Sequence, residues 1–88
     1  MSAKQRKTRA AVFQRPVRSN IRWADIESLF GAMGADVEER SGSRVGFVWD
    51  DGSIDVFHRP HPSPYANKAS VVQAKKVVER QEEDEGNE

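Results

Sequence analysis

The stretch RVGFVWDDGSIDVFH, Arg44 to His58, constrains this chain more than any other segment. Two β-prone runs flank Asp51-Gly52, and an Asp-Gly pair in that setting is a strong signal for a tight hairpin. With Asp51-Gly52 as a two-residue turn, Trp49 pairs with Ile54, Phe47 with Val56 and Val45 with His58. Side chains alternate across a strand, so this register gathers Val45, Phe47, Trp49, Ile54 and Val56 on one face, which needs a cover. Arg44, Gly46, Val48, Asp55, Phe57 and Arg59 fall on the other face. Arg44 and Arg59 then stand opposite each other on the open side, while His58 turns towards the covered side.

The cover comes from helices. Ile26, Leu29, Phe30 and Met33 recur at i, i+3, i+4 and i+7, with Trp23 one turn earlier, which makes one apolar stripe. Asp25 and Glu27 sit early, where the helix dipole favours negative charge, and Gly34 is placed to end the helix in a left-handed conformation. Residues 36–41 hold only Val37 as an apolar anchor and read as a weak, exposed strand. After the hairpin, the proline-rich run His58–Asn67 cannot continue the ladder. A last helix over about residues 67–80 turns Val71, Ala74, Val77 and Val78 inward and Lys68, Lys75 and Lys76 outward. The order α-β-β-β-α implies an α+β domain: a three-stranded antiparallel sheet with two helices on one face.

Charge marks off the flanks. The chain balances 14 Lys and Arg against 14 Asp and Glu, yet the two signs are segregated. Residues 1–20 read as a basic arm with room for a short helix over 5–14 before Pro16, residues 21–80 as the domain, and residues 81–88 as an acidic, disordered tail. Lys4, Arg6, Lys7, Arg9, Arg15, Arg18 and Arg22 meet no acidic residue before Trp23, so polyanions are natural partners for the arm, nucleic acid first. The plainer alternative is that both ends are simply solvated. The chain has no cysteine, which removes disulfide staples, cysteine zinc fingers and thiol catalysis. No apolar run approaches the ~20 residues that span a bilayer, and the N-terminus lacks a signal-peptide centre. The expectation is a cytoplasmic protein with no membrane partner.

From Ile21 to Arg80 the residues resemble the HicA toxins, small ribonucleases of bacterial toxin–antitoxin pairs with a fold like double-stranded-RNA-binding domains. The resemblance rests on Gly34, the triplet Gly42-Ser43-Arg44, the pair His61-Pro62 and Lys68, in that order. The family's usual triplet is Gly-Ser-His, with the histidine taken as catalytic. Arg44 stands there instead, as in a subgroup that resembles this chain in its downstream HRPHP segment. An arginine cannot shuttle protons near neutral pH. The resemblance implies messenger RNA as substrate and a cognate antitoxin of the HicB type as partner.

Metal-free RNA cleavage needs a base for the 2′-hydroxyl, an acid for the leaving oxygen and positive charge on the phosphate. Histidine suits proton transfer and arginine suits the phosphate. His61, His58 and Arg44 are therefore the candidate catalytic residues, and Arg44, Arg59, Lys68, Lys75 and Lys76 the candidate RNA contacts. Both histidines have plainer roles open to them, His58 as a partly buried structural group and His61 as part of a stiff turn. The His58-x-x-His61 spacing lacks a third ligand nearby, so neither a metal nor another cofactor is expected. The leading function is a metal-independent endoribonuclease toxin acting on messenger RNA. The alternative is a non-catalytic module of the same fold that binds RNA or protein. A DNA-binding regulator is a weaker third, since no recognition-helix pattern supports it. The acidic tail can also be read as a competitor that folds back on the basic surface.

Overall fold

The structure is a computed structural model that describes the backbone of residues 1–86 and the side chains of residues 1–83. Six elements follow one another: α1 Ala3–Val12, α2 Trp23–Ala32, β1 Asp36–Glu39, β2 Arg44–Val48, β3 Ile54–His58 and α3 Lys68–Gly86. The strands form one antiparallel sheet in the order β1-β2-β3. The α-β-β-β-α core read from the periodicities is present, with α1 added in front.

Local signals set the helix ends. Ser2 caps α1 by accepting from Gln5 N at 3.1 Å while Gln5 Oε1 accepts from Ser2 N at 2.8 Å, a reciprocal capping box. At the end of α2, Gly34 takes φ +108°. The Gly34 N–H then reaches Gly31 O at 3.1 Å and Ala35 N–H reaches Phe30 O at 3.0 Å. This is a Schellman closure, which satisfies two otherwise orphaned carbonyls and needs the left-handed residue that glycine supplies without steric cost. Asn67 caps α3 through Oδ1, which accepts from Ser70 N at 2.8 Å.

The core lies between the sheet and the helices. Ile26, Leu29 and Phe30 of α2 are fully buried with Val45 and Phe47 of β2, and Val71, Ala74, Val77 and Val78 of α3 close the same cluster. Aromatic rings stitch the layers together. Phe30 meets Phe47 edge-on at 4.8 Å between centroids and also touches Trp49 and Phe57. Trp23 adds contacts to Phe47 and Phe57. Each such ring pair contributes about 0.5–1.5 kcal/mol beyond area burial.

The hairpin register differs from the sequence expectation by one residue. Arg44 pairs with His58, Val45 with Phe57, Gly46 with Val56, Phe47 with Asp55 and Val48 with Ile54. A one-residue slip turns every side chain of one strand over. Phe57, expected on the open face, is buried beneath α2, while Ile54 and Val56, expected in the core, are exposed on the open face. The cause is the turn. Trp49 N donates to Ser53 O and Gly52 N to Trp49 O, both at 2.9 Å, so the loop holds three residues, Asp50-Asp51-Gly52. A two-residue type I′ turn would force Asp51 to positive φ, whereas this loop asks that only of Gly52, at +86°. Asp51 Oδ1 also accepts from Ser53 N at 2.8 Å and Ser53 Oγ at 2.6 Å, which holds the loop and draws the Asp51 carboxyl below its ordinary range. Asp55, now facing inward, is satisfied by Trp49 Nε1 at 2.8 Å and by Arg80.

One further difference concerns the acidic flank, and both flanks are held against the domain. The segment read as a disordered tail continues α3 as helix through Gly86, and residues 87–88 lie outside the described residues. Gln and Glu are good helix formers, and Arg9 of α1 grips Glu82 through two hydrogen bonds of 2.6 Å. The basic arm is likewise docked, through Gln5 to Ser28 Oγ at 2.9 Å and Lys4 to Asp25 at 3.3 Å. Hydrogen bonding from Arg9 holds the Glu82 carboxyl below its ordinary 4.5. A depressed carboxylate contributes stability above its unfolded pKa and loses it as pH falls through the folded value. Glu82→Gln should therefore lower stability at neutral pH, by no more than about 1 kcal/mol because the pair is over a third exposed and screened by solvent. The difference should vanish once acid has protonated Glu82 in the parent chain. Denaturant melts of both chains at neutral and acidic pH measure it, and a gap that persists in acid would show that the charge is irrelevant.

Candidate functional site

The observed register builds a row of nitrogen-bearing groups across all three strands. Arg40 N donates to Arg44 O at 3.1 Å, which continues the β1–β2 ladder by one step and sets Arg40 beside Arg44. Arg44 in turn pairs with His58 on β3. Arg59 N bonds Ser43 O at 2.7 Å, and ladder bonds alternate, so Arg44 and His58 form a non-hydrogen-bonded pair. In such pairs the Cα atoms approach to about 4.5 Å and the side chains lie close. Arg40, Arg44 and His58 thus share one end of the open face, with Arg44 and His58 exposed.

Glycine makes room for one of them. Gly46 sits one step along the same face, and a Cβ there would lie 2.8 Å from Arg40 Nε. The Arg40 side chain lies across this glycine and pairs with Glu38 at 3.0 Å, while its buried Nε has no hydrogen-bond partner. Arg44 is steadied by Ser41, whose Oγ accepts from NH2 at 2.9 Å. Gly42, at φ +71°, lets the chain turn tightly between the two arginines.

The proposed pairing of Arg44 and Arg59 on one face is overturned. Arg59 turns under the sheet, where Glu27 Oε1 accepts from Nε at 3.1 Å and from NH2 at 2.9 Å, and Glu39 accepts from NH1 at 2.9 Å. The hydrogen bonds it donates to Glu39 and then Glu27 raise its pKa further. Glu27 also accepts from Trp23 Nε1 at 2.6 Å, so this carboxylate ties α2 to the strand end. His58, expected on the covered side, is exposed beside Arg44 instead.

The remaining candidates are dispersed. His61 is exposed on the loop after β3, followed by a cis peptide bond to Pro62. Lys68 is exposed at the first position of α3, next to the Asn67 cap. Lys75 leans over the Phe13 ring at 5.7 Å, towards α1, while Lys76 is exposed. Sequence reasoning missed Arg40 and Glu27. The (i, i+4) spacing of Trp23 and Glu27 was a readable signal for the second. Arg40 became visible only with the β1–β2 register. Among the described residues, no cluster of three or more His, Cys, Asp or Glu side chains is arranged to hold a metal ion, and no helix is long and apolar enough to cross a membrane.

Comparison with known proteins gives one result. No curated protein and no solved structure matches the chain. The model of the family described as HicA toxin of bacterial toxin–antitoxin matches residues 23–77, which run from the first residue of α2 through β1, β2 and β3 into α3. That span holds Arg40, Arg44, His58, His61 and Lys68 and covers more than half of the sequence, so the chain belongs to the HicA family of bacterial toxin–antitoxin toxins.

Proposed function

We propose that this toxin is a metal-independent endoribonuclease that cuts messenger RNA and is neutralised by a cognate antitoxin of the HicB type. The observation that carries the reading is the row Arg40–Arg44–His58, with His61 three residues beyond it on the departing loop. One imidazole takes the proton from a 2′-hydroxyl as its oxygen bonds to phosphorus. The other gives a proton to the 5′-oxygen as the P–O5′ bond breaks, leaving a 2′,3′-cyclic phosphate. Arg44 is a charge partner rather than a proton carrier, because guanidinium stays protonated throughout the working pH range. Its planar fork, with Arg40 beside it, faces the phosphate where negative charge accumulates. Glu38 holds Arg40 through NH2 and offsets part of its charge, so Arg44 carries the larger share of the phosphate contact.

Arg59 takes a different role from the one expected of it. Two carboxylates already occupy its guanidinium, so it orients the His58–His61 segment rather than gripping RNA. Lys68 offers a further phosphate contact at the start of α3, where the positive end of the helix dipole adds to its charge. Lys76 extends the basic surface, and Lys75 contributes at the α1 side.

The reading is tested by incubating the purified chain with labelled RNA in the presence of a chelator. Cleavage giving cyclic-phosphate ends supports it; binding without cutting would favour a module that only holds RNA. The arginine in place of the family's histidine is the observation behind that second reading. Gly46 supplies an independent check. Gly46→Ala should push the Arg40 guanidinium off the sheet and lower RNA affinity several-fold, with Tm changed by no more than about 4–8 °C, as for ~1 kcal/mol in a domain this small. Unaltered affinity in a folded Gly46→Ala chain would remove Arg40 from the site.

A further inference from the structure

We propose that the N-terminal arm builds a second RNA-binding site, a basic cleft that takes the phosphates of a single strand and stacks a base on Tyr65. It rests on the RNA reading above but lies outside the candidate catalytic row. Most of it also lies outside the family-matched residues 23–77.

The cleft has a volume of about 410 Å³ between α1, the segment before α2 and Tyr65. Lys4, Lys7, Arg18 and Arg22 line it, against the single carboxylate of Asp25. Asp25 is engaged by Lys4 at 3.3 Å. Arg18 is positioned by neutral acceptors only, Asn20 Oδ1 at 2.8 Å and Gln14 Oε1 at 3.0 Å, so its charge is aimed but not cancelled. Lys7 and Arg22 are exposed and have no carboxylate partner among the described residues. Converging uncompensated cations around a concave surface focuses positive potential there, which suits a phosphate chain.

Tyr65 makes the ligand more specific. Tyr65 is 40% exposed, and the Arg22 guanidinium lies 5.8 Å from its ring centroid. A basic groove beside an exposed aromatic face is the arrangement that binds single-stranded nucleic acid, with charge tracking the backbone and the ring accepting a base. The backbone at Tyr65 is fixed, because Trp23 N bonds Pro64 O and Ala66 N bonds Ile21 O, both at 2.9 Å. Tyr65 lies four residues after His61, so their Cα atoms are at most about 14 Å apart. One RNA strand can therefore touch the cleft while its scissile bond lies near the histidines.

The test uses the full chain and a fluorescent single-stranded 2′-O-methyl oligoribonucleotide, whose blocked 2′-oxygen prevents cleavage. Affinity is followed by anisotropy between about 50 and 200 mM salt. The double variant Lys7→Gln, Arg22→Gln should bind roughly tenfold more weakly at low salt and flatten the log–log salt slope by about 1.4, since each single-strand phosphate contact is worth about 0.7. Tyr65→Leu should weaken binding about fivefold or more with the slope unchanged. Arg6→Gln, on an exposed residue of the same helix that does not line the cleft, should leave both readings nearly as in the parent. Absence of binding by the parent, an unchanged slope in the double variant, or an equal effect of Arg6→Gln would each overturn the cleft. Cleavage of unmodified RNA is scored separately. A parent chain that binds through the cleft but never cuts RNA retires the nuclease reading alone, whereas intact cutting with a salt slope indifferent to Lys7 and Arg22 retires the cleft alone.

Discussion

Alanine at both His58 and His61 is expected to reduce RNA cleavage to background, and each single replacement should cost about two to four orders of magnitude in rate. The single losses should not add, because an acid and a base acting in one displacement fail together. Arg44→Ala should also slow the cut, by withdrawing charge from the phosphate, and Arg44→Lys should recover part of that loss. A lysine keeps the charge but not the planar two-point contact. Alanine at either histidine should leave affinity for an uncleavable RNA within a few-fold of the parent, since neither replacement disturbs the core. The measurement is single-turnover cleavage of an end-labelled RNA with chelator present. Undiminished cutting by the double histidine variant, or cutting that chelator abolishes, would refute the assigned chemistry.

The largest expected loss of stability follows from Phe30→Ala. Phe30 is fully buried and faces three other rings, Phe47, Trp49 and Phe57, so truncation removes apolar area and leaves a cavity where helix and sheet meet. Such changes cost about 3–5 kcal/mol, against a total stability of about 5–15 kcal/mol for a typical domain. Urea unfolding should show a greatly lowered midpoint or a chain already unfolded at 37 °C. Two companion variants test the hairpin register itself. Phe57→Ala should be nearly as damaging, while Val56→Ala, on the open face, should cost less than about 1 kcal/mol. The opposite ranking would restore the register implied by a two-residue turn.

How much of this was legible in the sequence depends on what each residue needed for its placement. The apolar stripe of α2 and its glycine stop required only spacing along one helix. The same holds for Val71, Ala74, Val77 and Val78 of α3, which are all buried. The faces of β2 were also readable, since Val45, Phe47 and Trp49 alternate and all three are buried. β3 was ambiguous. Ile54 and Val56 offer one apolar face and Phe57 the other, and only the turn decides between them. Asp51-Gly52 names a tight turn but not whether it holds two residues or three; Asp50 and the hydrogen bonds of Ser53 settle that. The site inherited the ambiguity. Arg44 was placed on the open face correctly, while His58 and Arg59 exchanged sides with the rest of β3. The acidic segment was misread because its partner, Arg9, lies at the far end of the chain. No local pattern reports that contact.

The three-residue bend asks positive φ of glycine alone, so the loop's tolerance is set at one position. Exchanging one polar residue for another at Asp50 leaves Phe57 under the helix and His58 beside Arg44. Removing that codon would leave Trp49 opposite Ser53 across a two-residue bend, so the ladder and its two faces would survive, with Asp51 forced into the left-handed region. Among descendants of this gene, substitutions should therefore accumulate at Asp50 while Gly52 is retained.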